Sequence, residues 1–419
     1  MFELDLDSIS EIRRLDPETR VEYLMKLDLE QALSIFENLE PVLQEEILQL
    51  LPEDKVDYFI LELDPDDRVR LLDSLSEERA KALMQRLSPR EWRMTQKLMS
   101  YPEESAGHIM TPEYLPLTLP LNAEQAMFLI KNQGKFADTI DTLPVIDSEG
   151  VLLGMLPLSQ LVTAKPEQLV SDLMSDNVVS ALPETDQEEV ARLIQDADIL
   201  ALPIVNENGK LLGLVTIDDA LDVLHLEREE DFARAAASQP LNRPYFTISA
   251  FELTWSRLTW LTLLALAGAL TVQVLSVFEG ELEQVIALSL FIPLLIGVGG
   301  NSGAQSATTV TRAIATDDLA NVSKVIRRET GVGLMLGSAI GILAYLPVLI
   351  LFDLDMASVV SVTLVIVCTM ATMVGSGMPL LAKRLGIDPA VVSAPVVTTV
   401  VDASGLIVYF LMAKMIMGI

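Results

Sequence analysis

Five apolar stretches occupy the end of this chain, at about Leu258–Phe278, Val285–Val310, Gly331–Leu351, Val359–Leu381 and Ala394–Met417. Each reaches the roughly 20 residues that a helix needs to cross a bilayer. At that depth no water serves an unpaired backbone group, so each stretch is predicted to span as a helix. The first 250 residues hold no such run. They carry 49 of the 60 acidic and 21 of the 29 basic residues, net −28, which leaves 11 and 8, net −3, for residues 251–419. The chain is therefore expected to be multidomain, with an acidic part in water followed by an all-α membrane domain of five transmembrane helices. Nucleic acid is not an expected partner of so acidic a chain.

Charge also orients the spans. The opening MFELDLDSIS has neither a basic nor an apolar leader region, so no secretory signal is expected and the long first part is placed on the cytoplasmic side. The second and fourth connections then face the cytoplasm, and they carry Arg312, Lys324, Arg327 and Arg328, then Lys383 and Arg384. The two outer connections carry Glu279, Glu281 and Glu283, then Asp353 and Asp355, with no base, as the positive-inside rule requires. An odd number of spans puts the C-terminus outside, where Lys414 fits poorly. Cys368 is the single cysteine, which excludes a disulfide framework and a thiolate metal site. His108 and His225 are too few and too separated for a transition-metal cluster and are expected at the surface. No nucleophile-base pair and no Walker-type glycine loop is present, so an enzyme is not expected.

Within the acidic part a leucine recurs every twelve residues, at Leu15, Leu27, Leu39, Leu51, Leu63, Leu75 and Leu87. Pro17, Pro41, Pro52, Pro65 and Pro89 follow five of them. The steps Asp16-Pro17, Asp64-Pro65 and Ser88-Pro89 supply an N-cap and then proline at the first helical position, so residues 1–106 are predicted to stack into an α-helical superhelix. Its acidic face includes Asp64, Asp66 and Asp67. A second repeat, of period near 60, sets TLPVIDSEGVLLGML at Thr142–Leu156 beside ALPIVNENGKLLGLV at Ala201–Val215. Each copy reads as a helix (Ala123–Asn132, Gln187–Ala197) and then strand, glycine turn and strand, opened by Met110 or Met174. Residues 107–217 thus resemble a tandem pair of cystathionine-beta-synthase (CBS) domains, α/β modules that commonly bind adenine nucleotides. In the second copy Gly213, Thr216 and Asp219 match the family's Gly-x-x-Thr-x-x-Asp pattern, which implies one site for ATP or another adenine nucleotide. The first copy has Gly154, Pro157 and Gln160 there, without the hydroxyl and the carboxylate.

Residues 218–244 follow as an acidic helical pattern from about Asp218 to Ala237, stopped by Gln239-Pro240 and Arg243-Pro244. Glu227, Glu229, Glu230 and Asp231 stand beside only Arg228 and Arg234, so anionic headgroups should repel this helix. Divalent cations bridging it to the acidic domains would hold it, because hard cations prefer carboxylate and water oxygens.

In residues 245–419 two spans carry polar faces. PLLIGVGGNSGAQSATTVTR places Pro293, Gly297, Asn301 and Gln305 four apart on one face, with Gly299, Gly300 and Gly303 small enough for close helix approach. PVVTTVVDASG puts Pro395, Thr398 or Thr399, and Asp402 on one face. An ionised carboxylate at mid-membrane costs roughly 2.5–3.5 kcal/mol, so Asp402 needs a partner. A neighbouring hydroxyl of Thr398 or Thr399 would be one; an ion path would be another.

In order and spacing the whole chain resembles an MgtE-type magnesium transporter. The resemblance implies a homodimer in the lipid bilayer of a bacterial-type inner membrane, selective for Mg2+ and closed when cytosolic Mg2+ is high. It matches Asp402 to the pore aspartate, and the acidic helix to a plug whose Glu227, Glu230 and Asp231 bind regulatory Mg2+ facing Asp222, Asp198, Asp186 and Glu188. Asp64 and Asp67 would be the partners from the first domain. Ala394 departs from the asparagine common there in relatives. A transporter of another divalent ion such as Co2+ or Mn2+ would be favoured by soft ligands along the path, and no histidine or cysteine accompanies Asp402. A membrane-anchored nucleotide sensor without transport would have no use for Asn301, Gln305 and Asp402.

Overall fold

The structure is a computed structural model and describes residues 6–240, 245, 248–315, 322–392 and 394–419. Residues 1–5 of the first expected domain, and linker positions 241–244 with Arg243-Pro244, lie outside the described residues. The chain forms two compact units, one built on residues up to 227 and the other on residues 228–240 and from 249 onward.

The first unit opens with short helices set by the twelve-residue pattern: α1 (Leu6–Ile12), α2 (Pro17–Leu24), α3 (Leu29–Glu37), α4 (Pro41–Leu50), α5 (Glu53–Glu62), α6 (Pro65–Asp73), α7 (Glu77–Met84) and α8 (Pro89–Leu98). Asp16 and Ser88 cap α2 and α8 by accepting from the backbone N–H of Thr19 and Glu91. Asp64 stands at the same position before α6, but its side chain makes no cap bond, contrary to the expectation from its sequence. Leu24, Phe36, Leu39, Leu43, Ile47, Phe59, Ile60 and Leu63 form the buried core.

A second period, of 24 residues, runs through this array. Arg20 Nε, Gln44 Nε2 and Arg68 Nε each donate to a carbonyl eight residues earlier, on Ile12, Phe36 and Ile60, at 3.3, 2.8 and 2.8 Å. Helix C-terminal carbonyls have no partner within their own helix. These three buried side chains satisfy one in each pair of helices.

After α9 (Ala106–Ile109) come β1 (Leu117–Thr118), α10 (Ala123–Gln133), β2 (Thr142–Ile146), β3 (Leu152–Pro157), α11 (Leu158–Thr163), α12 (Val170–Leu173), α13 (Gln187–Ala197), β4 (Ala201–Val205) and β5 (Leu211–Thr216). β2 pairs antiparallel with β3, and β4 with β5, in the same register with an irregularity at the equivalent step. The copies are not self-contained. Thr111 pairs with Leu214 and Ser175 with Met155, so the segment that opens each copy lies on the other copy's hairpin. A Cβ on Gly154 would meet Met174 Sδ at 2.7 Å, and one on Gly213 would meet Met110 Sδ at 2.8 Å, which explains glycine at both. α14 (Ile217–Ala235) continues directly from β5.

In the second unit five long helices follow: α15 (Ala250–Val277), then, after the short α16 (Glu279–Gln284), α17 (Leu288–Ala315), α18 (Val322–Leu351), α19 (Leu354–Arg384) and α20 (Ala394–Met417). Among the described residues four of these, α15, α18, α19 and α20, are long and apolar enough to cross a membrane. The sequence led us to expect five. α17 falls short because the polar run from Gly299 to Gln305 interrupts its apolar character. α19 is the most enclosed helix, packed by α17, α18 and α20. Lys414, out of place on charge grounds, pairs with Glu281 of α16 at 2.6 Å.

Candidate functional site

α17 and α20 bring the polar spans together. Gly300 faces Thr398 and Asp402, and a Cβ there would sit 3.4 Å from Asp402 Oδ1. That oxygen is buried and accepts no hydrogen bond among the described residues. The hydroxyls expected as its partners are committed elsewhere: Thr398 and Thr399 Oγ1 both donate to the Pro395 carbonyl, at 2.9 and 2.8 Å. Pro293, Gly297, Asn301 and Gln305 form one face of α17 that is exposed along its length. Ser302 and Ser306, on the adjacent face, are buried, and Ser302 donates to Val298 O at 2.8 Å.

On the first unit the acidic residues divide into separate groups. Arg70 bridges Asp67 of α6 and Asp222 of α14, at 2.7 and 2.8 Å. Beside them Asp66 is 9% exposed and its Oδ1 has no partner. Burial first, and then Asp219 and Asp67, hold the Asp66 carboxyl well above the usual range. Asp64 is raised by burial, then by Glu113 and Asp218, and Asp67 by burial against the opposing pull of Arg70. Glu37 is pushed up to about 8 by burial, Asp64 and Asp67. Asp222 is thus tied to α6 through Arg70.

Glu227 accepts from Gln187 Nε2 at 2.9 Å, at the start of α13. There Asp186 caps α13 through Glu188 N, and Glu188 pairs with Arg192 at 2.5 Å. Asp198 is the left-handed C-cap of the same helix, eleven residues of helix away, so it does not join the group at Asp186. In the second unit Arg234 pairs with both Glu230 and Asp388, the residue that caps the turn before α20. Asp231 lies near the same guanidinium. Among the described residues no group of three or more acidic, histidine or cysteine side chains is disposed to hold a metal ion by itself.

The residues matched to nucleotide binding are also engaged. Gly213 lies against Met110, and Thr216 Oγ1 donates to Asp219 Oδ2 at 2.5 Å. Asp219 is pushed up to about 7, chiefly by burial. His108 is not a surface residue: it is 8% exposed, and its Nε2 meets Asp73 Oδ2 at 2.5 Å, joining α9 to α6. Neither the buried Arg20, Gln44 and Arg68 nor the pairs Arg70–Asp222 and Arg234–Asp388 came from the sequence reading. The 24-residue spacing was present to be read; the ion pairs left no local signal.

Three family models match the chain: the MgtE intracellular N domain over residues 6–104, the CBS domain over 106–167 and 170–226, and MgtE, described as a divalent cation transporter, over 292–412. Magnesium transporter MgtE of Thermus thermophilus is 39% identical over 333 residues, 79% of this chain and 74% of that protein. Magnesium transporter MgtE of Bacillus subtilis is 33% identical over 394 residues, 93% of this chain and 87% of its own length. Among solved structures, the cytosolic domain of the Mg2+ channel MgtE in complex with ATP is 32% identical, covers 51% of this chain and 93% of that chain, and gives a TM-score of 0.45.

Proposed function

This chain belongs to the MgtE family of transporters, and on that premise we propose that it is a Mg2+-selective channel whose pore is formed by a homodimer and closed by cytosolic Mg2+. The observation that carries the reading is Asp402: a carboxylate oxygen in a membrane helix, buried and without a donor, beside a glycine of the polar helix α17. A cation would stabilise a carboxylate in that place. Mg2+ gives up its waters reluctantly and is commonly held through one or two carboxylates with several waters kept. One Asp402 leaves a divalent charge half compensated; a two-fold axis supplies the second.

The exposed face of Pro293, Gly297, Asn301 and Gln305 supports the same reading. Facing lipid it would leave two amides without partners, whereas facing a second copy it lines a wet path, with α17 as the fifth crossing helix. The hard oxygen chemistry of Asp402, Asn301 and the threonines suits Mg2+ better than the softer Co2+. The N-terminal domain is intracellular, as its family model describes, and the C-terminus then lies outside a bacterial-type inner membrane.

For closure, the carboxylates of Asp64, Asp67, Asp186, Glu188, Asp198, Asp222, Glu227, Glu230 and Asp231 would be bridged by Mg2+, which removes their mutual repulsion and holds α14 in place. ATP or another adenine nucleotide at Gly213, Thr216 and Asp219 would modulate this, and would have to displace the Thr216–Asp219 bond. The deciding experiment is Mg2+ flux into liposomes. Asp402→Ala should abolish flux while the dimer still assembles on size-exclusion chromatography; full flux in that variant would remove Asp402 from the pore.

A further inference from the structure

Three membrane helices meet where α17, α18 and α19 cross, and a carboxylate lies at the junction. Ser306 of α17, 3% exposed, donates to Glu329 Oε2 of α18 at 2.8 Å, and its oxygen is also 3.0 Å from the Thr372 carbonyl of α19. Thr372, 1% exposed, donates in turn to the Glu329 carbonyl at 3.0 Å. Glycines make the approach possible. A Cβ on Gly333 would sit 2.2 Å from Thr372 Oγ1, and one on Gly375 would sit 2.2 Å from the Gly303 carbonyl. The junction therefore tolerates almost no displacement of one helix against the next.

Glu329 is about two turns into α18, at the inner end of its apolar segment, where a short hydroxyl-bearing side chain would serve packing alone. Its reach matters for α17. Successive helical residues differ by about 100° around the axis, so Ser306 and Gln305 point to neighbouring faces. Turning α17 by that angle would bury Gln305 in the glycine junction and bring Ser306 to the exposed face. Ser302, one turn earlier on the same buried face, contacts Cys368 Sγ at 3.7 Å, a weak bond by comparison.

We propose that Glu329 is a positioning residue of the ion path: by holding Ser306 it fixes the rotation of α17, and with it the direction of Asn301 and Gln305. This rests on the Mg2+-channel reading, and flux through the unaltered protein with its loss in Asp402→Ala tests that reading in the same vesicles.

The test measures Mg2+ and Co2+ flux into liposomes per amount of monodisperse protein for Glu329→Ala, Ser306→Ala, the double variant and Glu329→Gln. Each single alanine variant should lower Mg2+ flux about tenfold, and the double variant no further, since both remove one bond. Glu329→Gln keeps an acceptor for Ser306 and should stay within about twofold of the unaltered protein. The Mg2+ to Co2+ ratio should fall in the alanine variants, because misdirected amides lose selectivity. Additive losses, an equal loss of both ions, or a glutamine variant as impaired as the alanine one would each overturn the proposal. Unaltered flux in Glu329→Ala would do the same.

Discussion

A buried side chain with several donors must find as many acceptors, and Arg68 does so with four. Its Nε and Nη atoms donate to the carbonyls of Ile60, Leu61 and Leu63 and to Thr95 Oγ1. It thereby closes the ends of one helix and ties it to α8. Arg68→Met keeps most of the volume but leaves those carbonyls without partners in the core. We expect a loss of about 2–4 kcal/mol, measured by denaturant unfolding of the first unit's signal in the full-length protein. Asp402 is the opposite case, since its Oδ1 finds no donor among the described residues. The first residue has a structural explanation in full; the second has one only if something outside the chain completes it.

Several elements in this protein are joined by single charged contacts as well as by packing. His108 on α9 and Asp73 at the end of α6 form one such joint, and the Asp73 hydrogen bond raises the imidazole above its ordinary 6.5, against the opposing effect of burial. Glu103 also favours the protonated ring. A raised folded-state value stabilises the fold fully below pH 6.5, and the contribution is lost as pH rises through the higher folded value. The melting temperature of the unaltered protein should therefore exceed that of His108→Gln at pH 6, and the difference should shrink by pH 9. A difference constant over that range would mean that the contact does not carry charge. α14 is joined at several levels, by Asp222 to Arg70, by Glu227 to Gln187 and by Arg234 to Asp388. Two of these use an arginine to neutralise facing carboxylates, the task assigned above to Mg2+ at the remaining ones.

At the scale of the whole molecule, the proposed function couples an acidic sensor to a pore for the same ion, which would make a feedback device. Replacing Glu227, Glu230 and Asp231 by Gln, Gln and Asn removes charges that Mg2+ would bridge. Flux through this variant should persist at millimolar cytosolic-side Mg2+, where the proposed reading has the unaltered protein close; normal closure would remove these residues from the sensor. Much of this organisation was legible in the residues themselves. Leucines twelve apart, the twin hairpins, the long apolar helices and the polar faces of α17 and α20 each follow from local periodicity, because helices and strands repeat every 3.6 and 2 residues. Asp402 was legible for the same reason, as one costly residue in an apolar helix. What the sequence could not disclose is which partner each polar group finds. That Met110 packs on Gly213 and Met174 on Gly154, that Asp64 is released from capping, that His108 is buried, and that Glu329 reaches Ser306 are all outcomes of contacts between distant segments. Periodicity determined the elements and the polar faces of the spans. Only tertiary structure decided the pairings, since a side chain's partner depends on the geometry of every helix packed around it.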